Sequence, residues 1–235
     1  LSLIKNKQLK IIEKKVDTKL HPKKYRLKII KSGICASDVP RAFNFMAYKY
    51  PLIMGHEFVG EIIKVGNNVS RFEKGDIVSA FPLVPCLNEI DIKNNCSYCS
   101  QKKYNLCDNY NYYGSRTDGS FCEILDVFEW NLFKVSKKNF STTACLTEPT
   151  AVAFNIFENL NLKSYENKRI LILGGGFIGQ VLLRILKSLT KSELFLADRN
   201  SFKLSIVKNI TKNTILFSKK KKDFKYIKKN LNNKF

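Results

Sequence analysis

The apolar positions fall into two regimes. Up to about residue 150 they come in short β-branched or aromatic runs, Tyr25 to Lys31, Gly60 to Val65, Asp76 to Ala80, Phe121 to Val127 and Leu132 to Val135. Gly, Asn, Pro and Lys bound these runs, which predicts an all-β body with long loops. Beyond residue 150 the runs lengthen and alternate in period. Helix is predicted over Ala151–Asn161, Ile178–Leu189 and Ser201–Ile210, and buried strand over Arg169–Leu173, Glu193–Ala197 and Thr214–Phe217. Strands alternating with helices predict a parallel sheet, so the chain reads as a β-rich domain over 1–150 and an α/β domain over 151–235.

Composition adds bounds. With 44% hydrophobic residues in 235 the chain is globular, and it has no apolar run of membrane-spanning length, so no membrane partner is expected. The net charge of +21 is carried by 34 Lys and only 7 Arg. Readers of phosphate and base edges lean on Arg forks, so the surplus is read as compositional and nucleic acid is not expected as a partner. Eleven Lys lie within residues 201–235, with Lys219 to Lys222 consecutive.

Seven cysteines, an odd number, argue against a disulfide framework and for free thiols in a reducing compartment, hence a cytoplasmic location. Four of them, Cys86, Cys96, Cys99 and Cys107, lie within one segment of about 82–108. Four thiolates make a closed tetrahedral site with no room for substrate, the signature of structural zinc. Standing ten positions upstream of Cys96, Cys86 is the loosest of the four. Cys122 and Cys145 read as small buried hydrophobes. A second, scattered set comprises Cys35, His56 and Glu148, with Glu57 beside His56. One thiolate, one imidazole and one carboxylate leave a fourth position open, which is catalytic-zinc stoichiometry, although spacing alone does not connect residues so far apart.

The strand Arg169–Leu173 runs into Gly174-Gly-Gly-Phe-Ile-Gly179, a G-x-G-x-x-G motif that opens a helix. Gly174 makes the turn, Gly176 admits a pyrophosphate, Gly179 lets the helix pack on the strand, and the helix N-terminus at Phe177 and Ile178 faces the phosphates. Asp198, at the end of the next strand, can accept hydrogen bonds from ribose hydroxyls, which predicts NAD; Arg199 beside it softens the exclusion of NADP, and Lys203 completes the cofactor-binding set.

These residues in this order resemble the zinc-dependent medium-chain alcohol and polyol dehydrogenases. Gly33-Ile-Cys-Ala-Ser-Asp38, Gly55-His-Glu-Phe-Val-Gly60, the cysteine lobe and Glu148-Pro149 are similar to that family's zinc-ligand segments. The resemblance implies a GroES-like catalytic domain followed by a partial Rossmann domain, and two zinc ions, one catalytic and one structural. It implies Cys35, His56 and Glu148 as catalytic ligands, Glu57 as either a residue supporting them from behind or an exchangeable ligand, and Ser37 as the proton relay. Within the family, Cys35 to Arg41, Tyr50-Pro51, Pro82 to Cys86 and Gly114 to Phe121 are most like the branch acting on galactitol 1-phosphate. A small polyol or sugar-alcohol phosphate is then the expected substrate, with Arg41 and Arg116 as candidate cations near it. The alternatives are another alcohol-, sorbitol- or threonine-type dehydrogenase, or an inactive zinc-binding protein. The resemblance also implies that the parent enzyme is a homo-oligomer and that the chain stops short of the second half of the sheet.

Overall fold

A computed structural model of the chain describes residues 1–88, 95–136, 142–161 and 167–217. The chain divides into two compact units, Leu1–Glu148 and Pro149–Phe235. Among the described residues no helix is long and apolar enough to cross a membrane.

The first unit is built on a five-stranded antiparallel sheet. Its strands run in the order Leu132–Lys134, Ile77–Ala80, Glu57–Val65, Lys24–Gly33, Ile124–Phe128. Period-two alternation sends Tyr25, Leu27, Phe58, Ile62, Val78 and Leu132 into one core. Tyr25 is fully buried, and its hydroxyl stays paired, donating to Glu129 Oε1 at 3.1 Å and accepting from the Phe72 N–H at 3.1 Å. Arg26 and Asp126 stand opposite each other across the Lys24–Gly33 and Ile124–Phe128 strands and form a two-pronged pair at 2.7 and 2.9 Å.

One register matters most for the site. Gly33 pairs with Glu57 and Ser32 with Phe58 in the antiparallel ladder. The end of one strand therefore lies beside the start of the other, which brings Cys35, two residues past Gly33, to His56, one residue before Glu57. A one-residue slip would turn every inward side chain outward, so burial of Phe58 and Leu27 holds the ligands in place.

The second unit carries a parallel sheet ordered Arg169–Leu173, Glu193–Asp198, Thr214–Leu216. The helix Phe177–Leu189 buries Leu182, Leu183 and Leu186, a one-face pattern, in the same cluster as Leu194 and Leu196 of the central strand.

Several expected boundaries move. The strand expected from Phe121 begins at Ile124, because the Phe121 N–H is bonded to Met54 O at 2.9 Å and its ring packs with Leu52 and Met54. The helix expected from Ala151 begins at Thr147, since Pro149 sits in the first turn, where no N–H is needed. The helix expected to reach Ile210 ends at Ser205 and continues as turns. Lys219 to Lys222 and the rest of the basic end lie outside the described residues.

Candidate metal and dinucleotide sites

The sulfur atoms of Cys86, Cys96, Cys99 and Cys107 all lie within 4.8 Å of one another. A tetrahedron with Zn–S bonds of about 2.3 Å has edges of about 3.8 Å, and Cys96 Sγ is 3.8 Å from Cys107 Sγ. Cys86, for all its distance in sequence, is fully buried and takes part: its sulfur accepts from the Cys96 N–H at 3.4 Å, and its own N–H donates to Cys107 Sγ at 3.3 Å. The Cys99 N–H donates to Cys96 Sγ at 3.4 Å. Donation from the N–H groups of Cys99 and Asp108 holds the Cys96 thiol down at about 7, whereas burial pushes the thiols of Cys86 and Cys99 up. Buried thiols converging in this way fit a cation, which alone makes four adjacent thiolates affordable.

The second set converges through the register described above. Ligand atoms of Cys35, His56 and Glu57 lie within 4.8 Å of one another, with His56 and Glu57 buried. The Glu57 carboxylate lies over Gly33, where any Cβ would collide with Oε2. Glu148 stands just outside this trio. Its Oε1 accepts from the Tyr112 hydroxyl at 3.4 Å; burial raises its carboxyl above the ordinary value, with His56 opposing and Glu57 reinforcing the shift. Tyr112 also meets the His56 ring edge-on at 5.9 Å. One thiol, one imidazole and nearby carboxylates are a donor set that fits zinc with a position left for substrate.

Two residues beyond the expected set belong here, Tyr112 and Asp38. Asp38, 3% exposed, accepts the Cys35 N–H at 3.0 Å through Oδ2, and its Oδ1 lies 3.7 Å from His56 Nδ1. His56 Nδ1 is buried with no hydrogen bond, so Asp38 is the group aimed at it, the arrangement by which a carboxylate fixes the tautomer of a metal-binding histidine. Its position in Cys35-x2-Asp38 was the available signal in sequence. Arg41 donates to Ser37 Oγ at 2.9 Å and lies 3.5 Å from Asp38 Oδ1.

The loop carrying His56 rests on a second loop through bare glycines. Gly114, at φ +77°, and Gly119 both press on the backbone of Gly55, and the Ser120 N–H donates to Gly55 O at 3.0 Å. Gly114→Ala is expected to cost about 1–3 kcal/mol of stability, because neither its φ nor the Gly55 backbone tolerates a Cβ; a lowered midpoint of thermal unfolding checks this.

In the second unit Gly174, at φ +115°, makes the turn, and a Cβ on Gly179 would strike Gly174 O. Gly176 has nothing within 4 Å of a Cβ position, so the space before the helix N-terminus is open for a phosphate. Phe177 is half-exposed at that end, while Ile178 packs into the core. Asp198 Oδ2 accepts the Gly175 N–H at 2.6 Å and Oδ1 the Asn200 N–H at 2.7 Å. Burial alone would raise this carboxyl; those N–H groups and Lys203 outweigh it and hold it below the ordinary value. Lys203 stands beside Gly175 and Asp198, and Arg199 is exposed.

Residues 21–137 match the family of alcohol dehydrogenase GroES-like domains, and the crystal structure of galactitol-1-phosphate dehydrogenase from Escherichia coli superposes with a TM-score of 0.85 at 30% identity, covering 99% of this chain and 64% of that one. The chain belongs to the medium-chain alcohol dehydrogenase family. The galactitol 1-phosphate 5-dehydrogenase of E. coli K12 is 34% identical over 189 residues, 80% of this chain and 52% of that protein. L-idonate 5-dehydrogenase of Vitis vinifera is 31% identical over 204 residues, 84% of this chain and 53% of that protein. A solved alcohol dehydrogenase, rspB of E. coli CFT073, complexed with NADH, aligns with a TM-score of 0.82 at 28% identity, covering 97% of this chain and 65% of that one. The chain spans about half the length of the curated relatives it matches. The fold expectation, a GroES-like β-rich domain joined to a parallel α/β unit, holds.

Proposed function

We propose that this medium-chain dehydrogenase belongs to a zinc- and NAD-dependent enzyme that oxidises a secondary hydroxyl of a polyol or polyol phosphate. The observation that carries the reading is the convergence of Cys35, His56 and Glu57, with Glu148 and Ser37 alongside. Cys35 and His56, with Glu57 or Glu148, would hold a catalytic zinc, and Cys86, Cys96, Cys99 and Cys107 a structural one. When bound, zinc supplies Lewis acidity that lowers the pKa of a substrate hydroxyl, and NAD supplies the hydride acceptor.

The chain's own residues do the rest. Ser37 Oγ accepts from Arg41 Nη1, which turns the serine O–H away from the guanidinium and leaves it free to relay a proton from the substrate hydroxyl. Asp38 orients His56, and Tyr112 holds Glu148. Gly174, Gly176 and Gly179, with the N-terminus at Phe177 and Ile178, would receive the pyrophosphate, and Asp198 the ribose hydroxyls, flanked by Arg199 and Lys203.

The test is NAD reduction by the zinc-loaded protein with galactitol, galactitol 1-phosphate and sorbitol. No reduction with any of them, in protein shown to contain two zinc ions, would remove the reading. For the cofactor, Asp198→Ala is expected to weaken NAD by about tenfold and NADP less, since the ionised Asp198 favours the ribose diol and repels a 2′-phosphate. An unchanged ratio of the two dissociation constants by fluorescence titration would refute the ribose contact.

A further inference from the structure

Of the two arginines near the site, one is partly buried and one is exposed. The Arg41 side chain is 16% exposed, whereas Arg116 is exposed and stacked, its guanidinium 4.7 Å from the Tyr48 ring and 4.3 Å from the Tyr110 ring while donating to Tyr110 Oη at 3.3 Å. A mostly buried guanidinium is costly unless each of its faces finds acceptors. Arg41 spends one nitrogen, Nη1, on Ser37 Oγ and the Asp38 carboxyl; among the described residues Nε and Nη2 carry no hydrogen bond.

Arg41 also lines a cavity of about 400 Å³ with Tyr48, Asn105, Tyr110, Tyr112 and Ser115. That wall offers hydroxyl and amide groups, and the cavity meets the trio through Tyr112, whose ring lies against His56 and whose hydroxyl is bonded to Glu148. Arg116 props Tyr48 and Tyr110 from outside, so their rings are fixed without placing its own charge in the cavity. Among the described residues that line the cavity, Arg41 alone is charged. Its acidic neighbour Asp38 engages Nη1, on the Ser37 side.

We infer that Arg41 and this cavity form a subsite for the anionic end of the substrate, a phosphate monoester carried on a sugar alcohol. The inference rests on the dehydrogenase reading and narrows it from polyols in general to their phosphates. The free edge of a guanidinium presents two parallel N–H groups that match a phosphate in two-pronged fashion, and the tyrosine, serine and asparagine groups suit its remaining oxygens and the polyol hydroxyls. Nη1 meanwhile ties the same residue to Ser37, so the anion is registered to the reacting hydroxyl by one side chain.

The test is calorimetric titration of the zinc-loaded full chain with galactitol 1-phosphate, galactitol and inorganic phosphate. The ester is expected to bind at least about tenfold more tightly than galactitol, with inorganic phosphate competing for it. Arg41→Gln should erase that preference at unchanged zinc content, and Arg41→Lys should retain part of it. Equal affinities for ester and polyol in the unmodified protein would overturn the inference, as would a preference that survives Arg41→Gln or a parallel loss of both ligands, which marks a merely structural arginine. The affinity ratio is read without turnover, so a failure of NAD reduction counts against the dehydrogenase reading while a flat ratio counts against the subsite.

Discussion

Cys99→Ser is expected to remove one of two zinc equivalents and to unfold the segment around residues 95–110. Its sulfur is buried among three others, and the short helix Ser97–Ser100 and the turns around Tyr104–Leu106 have little apolar core apart from the cysteines themselves, Leu87, Tyr104 and Tyr110. A serine hydroxyl does not replace a thiolate on zinc. Binding free energies of structural zinc, roughly 10–16 kcal/mol in small zinc domains, double as folding free energy, so losing the fourth ligand leaves the lobe with too few contacts to offset its chain entropy. Metal analysis should fall from two equivalents toward one, and limited proteolysis should begin within the lobe while the five-stranded sheet resists. Cys145→Ser is the control: Cys145 is buried against Val59 and Ala144 and supplies a ligand atom to neither metal set, so its loss should leave zinc content unchanged. If Cys99→Ser keeps both zinc ions, the four-thiolate site is wrong.

Local spacing made that lobe legible in sequence. Cys96-x2-Cys99 is closed by a single turn in which the Cys99 N–H reaches back to Cys96 Sγ, so the sequence interval and the metal geometry are one fact. Cys86 is different, because only the folded lobe brings it to Cys107. The same division runs through the rest of the molecule. The Gly174 to Gly179 turn is local and was legible, as was the sheet it joins. The convergence of Cys35 with His56 depends on the Gly33↔Glu57 register, a tertiary property that no interval along the chain encodes. The roles of Asp38 and Tyr112 were hidden for the same reason, since what marks them is proximity to His56 Nδ1 and to Glu148. Arg41 and Arg116 were indistinguishable as letters. One proves partly buried with free donors and the other stacked between two tyrosines, and the difference comes from packing alone.

His56→Ala should have the largest effect on chemistry, with the second zinc equivalent lost and NAD-linked oxidation falling below detection. His56 is 4% exposed and supplies the single imidazole of the trio, and the other described histidine, His21, lies elsewhere, packed on Phe128. Removing it leaves Cys35 and one carboxylate, Glu57 or Glu148, too few to hold zinc against solvent, and leaves Asp38 buried without the group it faces. Asp38→Asn tests the step behind this one. An amide of the same shape keeps the packing and can still receive the Cys35 N–H, but it no longer offers a charged acceptor to Nδ1, so the histidine loses its fixed tautomer; a fall of about 10–100-fold in zinc affinity is expected. The two substitutions should therefore separate, with metal absent in His56→Ala and present but weakly held in Asp38→Asn, each measured by zinc titration against a competing chelator. Unaltered zinc affinity in both would mean that the convergence of Cys35, His56 and Glu57 is packing and not a metal site.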